Sequence, residues 1–333
     1  MKKSLYFTGR SEVEIKEEPV RSPREGEVLI ESILSSISFG SEKLVYKGRL
    51  TDDNELDTAI DSLDKKVDYP IKYGYSSLGE VVSVGKGVSD DIIGRDVFCF
   101  HPHESKFLEK QENIILVPEE IDLRDFSFLP SVETAVNFAL DGGPMIGEKV
   151  AVIGQGVVGL MTTAVLENFP LDKLITVDPI SGRRKASEEL GADIIYEDIE
   201  DMNSSMTSQD GLDLAYELSG DPSTLEKVFD SLRYDGRIVI GSWYGDKENS
   251  ISLGTHFHRN RISIKSSQVS SIDPDISGRW DKDRRMDQVI KMIKKIEPKD
   301  VISHEIPFTE AEKAYELLDK KPEKCIQVIL RYD

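Results

Sequence analysis

A glycine-rich turn at residues 154–159, GQGVVG, is the segment whose spacing points most clearly to a chemistry. It follows an apolar run, KVAVI, and opens an apolar helical pattern, which is the setting in which such a turn binds a dinucleotide. The first glycine permits a tight turn, the second lets the backbone approach a pyrophosphate, and the third lets helix and strand pack closely. The helix N-terminus then offers free N–H groups to the phosphates. The predicted contacts are Gly154, Gln155, Gly156, Val157, Val158 and Gly159.

An acidic residue, Asp178, stands nineteen residues after Gly159, at the end of the next predicted strand. A carboxylate at this point accepts hydrogen bonds from the adenosine ribose hydroxyls and repels a 2′-phosphate, which favours NAD over NADP. Arg183 and Arg184 keep NADP open, because a nearby arginine accommodates the extra phosphate. The alternative interpretation is a parallel sheet whose glycine turn binds nothing.

The elements that must position this turn alternate between strands and helices, which predicts a parallel, doubly wound sheet. The strands are expected at 149–153, 174–177, 193–196, 212–217, 237–241 and 262–266, and the helices at 131–140, from the turn to about 168, and at 183–190. The first 120 residues instead predict strands and turns, with strands at 27–37, 79–88 and 95–100 and an exposed excursion at 51–67. The tail predicts helices at 286–296 and 309–318 and a strand at 325–330.

The composition is acidic, with 62 acidic against 42 basic side chains and a formal net charge of −20. Phosphates repel such a surface, so neither nucleic acid nor an anionic membrane is expected as the main partner. Cys99 and Cys325 suggest no disulfide framework and fit a reducing compartment. No apolar run follows the N-terminal lysines, so no signal peptide is predicted, and the longest apolar stretch is too short to span a bilayer. We therefore expect a soluble, cytoplasmic protein.

The order of several segments resembles the medium-chain dehydrogenase/reductase superfamily over nearly the whole chain. The segments are EEPVRSPREGEVLI, SFGSEKLVYKG, YGYSSLGEVVSVGKGV, GRDVF, VETAVNFAL, GEKVAVIGQGVVGL, VDPISGRRKASEELGAD and DLAYELSG. The resemblance implies an α/β protein with a GroES-like, β-rich catalytic domain at 1–123, completed by 271–333, and a Rossmann domain at 124–270. It also implies a homodimer. SFGSEKLVYKG, FHPHESKF and the pair SWYG with SSQV are similar to the branch of bacteriochlorophyllide-type hydroxyethyl dehydrogenases.

Zinc members of this superfamily hold a catalytic metal with a Cys, a His and a later Cys or Glu. The matching positions here are Phe39, Tyr75 and Glu133, and Ser76 replaces the Glu that usually follows the His. One carboxylate cannot hold a zinc ion that needs three protein ligands, so no zinc is predicted at this site. Cys99 stands alone where the structural zinc lobe would be.

Two histidine pairs leave a different metal site open. His101 with His103 and His256 with His258 would each share one face of a strand. The plainer interpretation of each pair is polar histidines that line a cleft.

Without a metal, side chains must handle the proton of an alcohol. The resemblance assigns a proton relay to Ser41. Tyr75 could donate a hydrogen bond to a carbonyl oxygen, and Glu133 could act as a base or orient Tyr75. His101 is a further candidate acid or base. The plain alternatives are a packed aromatic ring for Tyr75 and a helix-surface carboxylate for Glu133.

The C-terminal ends of the later strands face the cofactor crevice in an open α/β sheet. By resemblance, they would contact the nicotinamide ribose and carboxamide through Ser219, Gly220, Ser242, Trp243, Ser266, Ser267 and Gln268. Aromatic residues are expected to line the substrate pocket and would suit a cyclic or bulky small molecule: Phe39, Tyr46, Tyr75, Phe100 and Trp243.

Together these features predict a zinc-independent, NAD(P)-dependent oxidoreductase that interconverts a secondary alcohol and a ketone. A reductase of an activated C=C bond is the first alternative, because that reaction needs no metal to polarise an alcohol. A dinucleotide-binding protein without catalysis is the second.

Overall fold

Alternating apolar residues early in the chain form antiparallel strands, whereas the later buried runs form parallel strands, as the two patterns predict. The computed structural model describes residues 1–49, 69–206, 210–245 and 247–333. They divide into two compact units, one of Met1–Leu129 with Glu297–Asp333 and one of Pro130–Ile296. The predicted excursion at 51–67 lies outside the described residues.

The elements follow in chain order. The strands are β1 (Lys2–Gly9), β2 (Glu12–Glu18), β3 (Glu27–Ile37), β4 (Ser77–Val84), β5 (Asp96–Cys99), β6 (Lys106–Lys110), β7 (Ile115–Leu116), β8 (Lys149–Ile153), β9 (Lys173–Val177), β10 (Ile194–Tyr196), β11 (Leu212–Glu217), β12 (Leu232–Ile240), β13 (Ser263–Ser266), β14 (Ile302–Pro307) and β15 (Gln327–Arg331). The α-helices are α1 (Phe39–Lys47), α2 (Leu123–Phe126), α3 (Leu129–Gly142), α4 (Val157–Leu166), α5 (Ser181–Glu189), α6 (Ile199–Ser205), α7 (Thr224–Phe229), α8 (Lys282–Ile296) and α9 (Ala311–Lys320).

The first unit contains a sheet in the order β14-β15-β3-β4-β5-β7, with β6 also paired to β3, and a separate β1-β2 hairpin. β3 pairs antiparallel with β4, β6 and β15, and Ile30 lies opposite Val81 while Leu34 lies opposite Leu78. These side chains are buried, so the register places the apolar face of β3 in the core. Because β15 pairs with β3, the C-terminal segment completes the sheet that the N-terminal segment begins.

The second unit contains six parallel strands in the order β10-β9-β8-β11-β12-β13. In order of appearance along the unit this is 3-2-1-4-5-6, the doubly wound order whose reversal point lies between the first and fourth strands. Ala151 of β8 lies opposite Ile175 of β9 and Ala215 of β11, and all three are buried. The predicted parallel sheet is confirmed, and the glycine turn follows the strand at the reversal point.

The division between the units falls at 129/130 and 296/297, later than the 123/124 and 270/271 expected from the sequence. The amide of Lys299 donates to Asp125 Oδ1 at 2.7 Å, which ties α2 to the C-terminal segment of the first unit. Arg285 of α8 hydrogen bonds to Glu133 and Asn137 of α3, which ties α8 to the second unit.

Two further sequence features can be located. Cys99 and Cys325 are both buried. No helix within the described ranges combines the length and the apolar character needed to cross a membrane.

Candidate functional site

The three glycines of the turn lie in different local environments. Gly154 has φ of +94°, and a Cβ there would lie 2.6 Å from the Cα of Ser219. A Cβ on Gly159 would lie 1.9 Å from the carbonyl oxygen of Gly154, so only glycine allows α4 to approach the turn. Gly156 is the N-cap of α4, and a Cβ there would meet no atom within 4 Å. The open side of Gly156 is therefore available to a ligand, as a pyrophosphate site requires.

The residues between these glycines have different roles. Gln155 is fully buried, its amide nitrogen donates to the carbonyl oxygen of Val152 at 3.1 Å, and its amide oxygen accepts from Thr163 at 3.0 Å. Its side chain thus supports the turn from inside. Val157 and Val158 begin α4 and are half-buried.

Asp178 follows β9 and is 3% exposed. Its Oδ2 accepts the backbone N–H of Gln155 at 2.7 Å, and its Oδ1 accepts that of Ile180 at 2.8 Å. The carboxylate is therefore fixed beside the glycine turn, where it keeps lone pairs for a further donor. The geometry fits a dinucleotide whose ribose hydroxyls reach this carboxylate.

The two arginines near Asp178 already contact other groups of the protein. Arg184 donates at 2.9 Å to the carbonyl oxygens of Asp178 and Pro179 and at 2.9 Å to Glu197. Arg183 is half-buried, and its Nη1 lies 3.9 Å from Asp178 Oδ2. The hydrogen bonds of Arg184 hold its guanidinium against the backbone.

The ends of β11 and β12 are joined through Glu217, which the sequence interpretation missed. This fully buried carboxylate accepts the amide of Ser219 at 2.9 Å and the hydroxyl of Tyr244 at 2.6 Å. The amide of Gly220 donates to Ser242 Oγ at 2.9 Å. Burial, and then the hydrogen bond to Glu217, raise the pKa of Tyr244. Glu217 is the acidic residue that ends the predicted strand in DLAYELSG, and this position is the sequence signal that could have identified it.

Two further predicted cofactor contacts follow β12 and β13. Trp243 is 50% exposed. Ser267 follows β13, donates to Asp141 through its hydroxyl and accepts from the Asn137 amide at 3.1 Å. Asn137 and Asp141 thereby connect α3 to the end of β13.

In the first unit, three hydroxyl groups meet at the start of α1. Ser41 Oγ lies 2.8 Å from the Tyr75 hydroxyl and 3.0 Å from Ser38 Oγ, and Ser38 Oγ also hydrogen bonds to Tyr75. We call Ser38, Ser41 and Tyr75 the hydroxyl cluster. The structure thus brings two predicted catalytic residues together and adds Ser38, the N-cap of a helix that the sequence did not predict.

Glu133 lies in the other unit, on α3, where its Oε1 is 2.6 Å from Nη2 of Arg285. Arg285 is 2% exposed and also donates to Asn137 Oδ1 at 2.6 Å. The carboxylate proposed as a base or an orienting group is therefore paired with a buried cation. Arg285 was not identified from the sequence, because its partners are 148 and 152 residues away.

His101 lies in a charged cluster of the first unit. Its ring nitrogens are 3.4 Å from Glu104 and 3.3 Å from Glu109, and the ring stacks on Phe107 at 4.0 Å between centroids. Burial opposes a charge on the imidazole, but the hydrogen bonds to Glu104 and Glu109 outweigh it and raise the pKa of His101. This environment favours a structural ion pair.

The expectation that each histidine pair shares one face of a strand is wrong. His101 and His103 lie in an irregular segment after β5, and His103 Nε2 contacts Glu42 at 3.1 Å instead. His256 lies in a short π-helical turn, Leu253–Phe257, and His258 follows it. Irregular and helical backbones do not alternate side chains as a strand does. Among the described residues, no group of three or more His, Cys, Asp or Glu side chains could hold a metal ion.

The positions that the resemblance assigns to a catalytic zinc can be compared with the residues that stand there. Phe39 offers no ligand atom, and its ring lies under Lys43 Nζ at 4.7 Å from the centroid. Tyr75 is hydrogen bonded within the hydroxyl cluster. These side chains do not fit the ligand set of a catalytic zinc.

Tyr46, which was predicted to line a substrate pocket, packs inside the first unit. It is 5% exposed and stacks on Tyr315 at 5.5 Å between ring centroids. It lies on the inward face of α1, so it contributes to the core of the first unit.

Comparisons with known proteins agree with this architecture. Residues 157–292 match the model of a family described as "Zinc-binding dehydrogenase". D-guloside 3-dehydrogenase of Escherichia coli K12 is 23% identical over 266 residues, which cover 77% of this chain and 76% of that protein. The structure of 2R,3R-butanediol dehydrogenase from Bacillus subtilis superposes with a TM-score of 0.81 at 18% identity and covers 100% of both chains.

Two further structures contain a cofactor. A short chain alcohol dehydrogenase from Escherichia coli CFT073, complexed with NADH, has a TM-score of 0.80 at 20% identity over 99% of both chains. A protein from Sinorhizobium meliloti 1021 described as a zinc-binding dehydrogenase, bound to NADP, has a TM-score of 0.79 at 16% identity over 99% of both chains. These likenesses confirm the α/β fold with a GroES-like domain and a Rossmann domain.

Proposed function

We propose that this chain, an NAD(P)-dependent oxidoreductase of the medium-chain dehydrogenase/reductase type, interconverts a secondary alcohol and a ketone without a catalytic zinc ion. The observation that carries the proposal is the hydroxyl cluster. Tyr75 stands where the zinc relatives have a histidine ligand, and its hydroxyl lies 2.8 Å from Ser41 Oγ. Hydrogen-bonded hydroxyls can move a proton to or from a substrate oxygen. In the zinc-binding members of the superfamily, the metal and a proton-relay hydroxyl are expected to do this together.

A bound nicotinamide dinucleotide supplies the hydride acceptor for oxidation and the hydride donor for reduction. In reduction, the Tyr75 hydroxyl donates a hydrogen bond to the ketone oxygen and gives up its proton as the alkoxide forms. Each hydroxyl both donates and accepts, so Ser41 and Ser38 can return a proton to Tyr75 from solvent. In oxidation, the same groups carry the alcohol proton outward.

The charge around Glu133 supports the metal-free proposal. The guanidinium of Arg285 already neutralises this carboxylate at 2.6 Å. A divalent cation at Glu133 would have to displace or approach that buried positive charge, which electrostatics disfavours. Zinc would also lack two of its three protein ligands at Phe39 and Tyr75.

For the cofactor we propose NAD. Asp178 presents a fixed, buried carboxylate beside the turn, and a 2′-phosphate would place negative charge next to it. The hydrogen bonds of Arg184 to backbone carbonyls and to Glu197 reduce its availability for that phosphate.

For the substrate we propose a secondary alcohol on a bulky or cyclic framework, with the chain acting as a homodimer. The segments that resemble the hydroxyethyl dehydrogenase branch support this class, since a hydroxyethyl group on a ring is a secondary alcohol. The relatives named above are dehydrogenases of alcohols and sugars, and nothing in the site favours reduction of a C=C bond instead.

The test combines metal removal with substitution. Protein treated with 1,10-phenanthroline and dialysed is assayed for NADH formation with 1-phenylethanol, (R,R)-2,3-butanediol and sorbitol, and its zinc is measured by mass spectrometry. We expect turnover to survive chelation. We also expect Tyr75→Phe to lower kcat by about a hundredfold, the range of a lost acid–base group.

Tyr234→Phe is the matched control, because Tyr234 is 62% exposed on the second unit. Turnover that disappears on chelation and returns with added zinc would refute the metal-free mechanism. Tyr75→Phe with wild-type kcat would remove Tyr75 from the reaction.

A further inference from the structure

A buried carboxylate lies directly behind the hydroxyl cluster. Glu42, on α1, is fully buried, and its Oε1 accepts the backbone N–H of Ser38 at 2.7 Å. Its Oε2 accepts from the Tyr315 hydroxyl and from His103 Nε2, the latter at 3.1 Å. Three donors from three parts of the chain thus fix this carboxylate, and through the Ser38 amide they fix the start of α1.

His103 extends this arrangement away from α1. It is fully buried, and because a carboxylate only accepts, its Nε2 carries the hydrogen toward Glu42. Its Nδ1 lies 2.8 Å from Ser35 Oγ, which is 2.9 Å from the Tyr332 hydroxyl. The imidazole is therefore held at both nitrogens, in one orientation.

The same ring also packs against the segment that bears Tyr75. Gly74 has φ of +121°, and a Cβ there would lie 2.6 Å from His103 Nε2. His103 thus occupies the space that a side chain at position 74 would need. The imidazole touches the residue before Tyr75 on one side and the carboxylate that caps α1 on the other.

We propose that the buried pair Glu42–His103 is a positioning pair for the hydroxyl cluster. Ser38 and Ser41 belong to the start of α1, whereas Tyr75 belongs to a separate segment that precedes β4. The pair contacts both, so it sets the separation between Ser41 Oγ and the Tyr75 hydroxyl. This inference rests on the proposed function for its catalytic consequence, but the geometry it asserts can be measured without a substrate.

A plainer interpretation is that the pair only satisfies polar groups inside the core. In that case its removal would lower stability and leave the environment of Tyr75 unchanged. The two interpretations differ in what happens at Tyr75, to which neither Glu42 nor His103 is hydrogen bonded through its side chain. The experiment is therefore directed at that phenol.

The full chain is labelled with 3-fluorotyrosine, and its 11 tyrosines are observed by ¹⁹F NMR. The Tyr75 resonance is assigned as the one lost in Tyr75→Phe. We expect His103→Leu, which keeps bulk but removes both hydrogen bonds, to shift or broaden this resonance. His103→Gln can still donate to Glu42 and should restore it in part. His304→Gln is the matched control, since His304 contacts only its neighbour Ser303 among the hydrogen bonds described.

Thermal melts show which variants are folded. If His103→Leu does not fold, Glu42→Gln carries the measurement. A folded His103→Leu or Glu42→Gln variant with an unchanged Tyr75 resonance would overturn the proposal.

The kinetic arm uses a double-mutant cycle with 1-phenylethanol and NAD. Misplacement of a reacting group costs up to about a hundredfold, so we expect His103→Leu to lower kcat by about tenfold or more with little change in the affinity for NADH. In a Tyr75→Phe background the same substitution should have almost no further effect, because it acts through Tyr75. Fully additive effects would overturn the inference.

If Tyr75→Phe alone leaves kcat unchanged, the proposed function fails while the NMR result still decides the positioning role.

Discussion

Two glycines of the turn should respond to alanine in opposite ways. At Gly159 a Cβ would lie 1.9 Å from the Gly154 carbonyl oxygen, so the backbone of the turn or helix must move. At Gly156 φ is −67° and a Cβ would meet nothing within 4 Å, so alanine fits the unliganded chain without strain. Gly156→Ala should therefore spare the fold and obstruct the ligand, whereas Gly159→Ala should damage the fold itself.

The magnitudes follow from these contacts. Overpacking of this kind costs about 1–3 kcal/mol, and each kcal/mol lowers Tm by roughly 2–4 °C in a domain of 150–250 residues. The second unit spans Pro130–Ile296, so Gly159→Ala should lower its Tm by about 2–12 °C. Gly156→Ala should change the free energy of unfolding by less than about 0.5 kcal/mol. It should raise the Kd for NADH by about tenfold to a hundredfold, because a hydrogen bond to a charged phosphate is worth about 1.5–3 kcal/mol.

The assays are differential scanning calorimetry and titration of NADH fluorescence. Gly278→Ala is the control, since a Cβ at this position of the same unit also meets nothing within 4 Å. Wild-type affinity for NADH in Gly156→Ala would refute the placement of the pyrophosphate on this turn. Wild-type stability of Gly159→Ala would refute the steric argument.

Two further perturbations test the charged groups. Arg285→Met should destabilise the chain to urea by about 3–5 kcal/mol, because it leaves Glu133 without its buried cation, and a loss below about 1 kcal/mol would show the pair to be unimportant. Burial alone would raise the pKa of Glu18, but hydrogen bonds from Lys72 and Tyr6 lower it to about 2 from 4.5. Its contribution to stability is therefore present above about pH 4.5 and is lost as the pH falls toward about 2. The urea midpoints at neutral pH and at about pH 3 should differ less in Glu18→Gln than in the wild type. An equal difference in the two proteins would contradict the lowered pKa of Glu18.

The doubly wound unit could be predicted from sequence because its signals are local. The strands at 149–153 and 212–217 have the predicted bounds, and the helix after the turn follows directly. Short apolar runs bounded by glycine and polar residues leave little freedom in where such strands begin and end. α1 was missed because its nine residues carry only a weak apolar stripe, and its N-cap, Ser38, makes no side-chain hydrogen bond to the helix amides.

The supporting polar contacts could not be predicted, because they join distant parts of the chain. Glu42 reaches His103 over 61 residues and Tyr315 over 273. Nothing in local periodicity indicates which buried acid meets which imidazole or phenol. The sequence did place Ser41 and Tyr75 as candidates, but only through a resemblance, and their 2.8 Å separation comes from the fold.

Two positions that the resemblance assigns to a zinc site, one in each unit, carry groups that other side chains already hold. Tyr75 is held by two serine hydroxyls, and Glu133 is held by Arg285. Without a cation beside it, the carboxylate of Glu133 would be an uncompensated charge in a largely buried place. Arg285 supplies that compensation from a guanidinium at 2.6 Å. On the metal-free proposal, a divalent cation at Glu133 would compete with a guanidinium that is already in place.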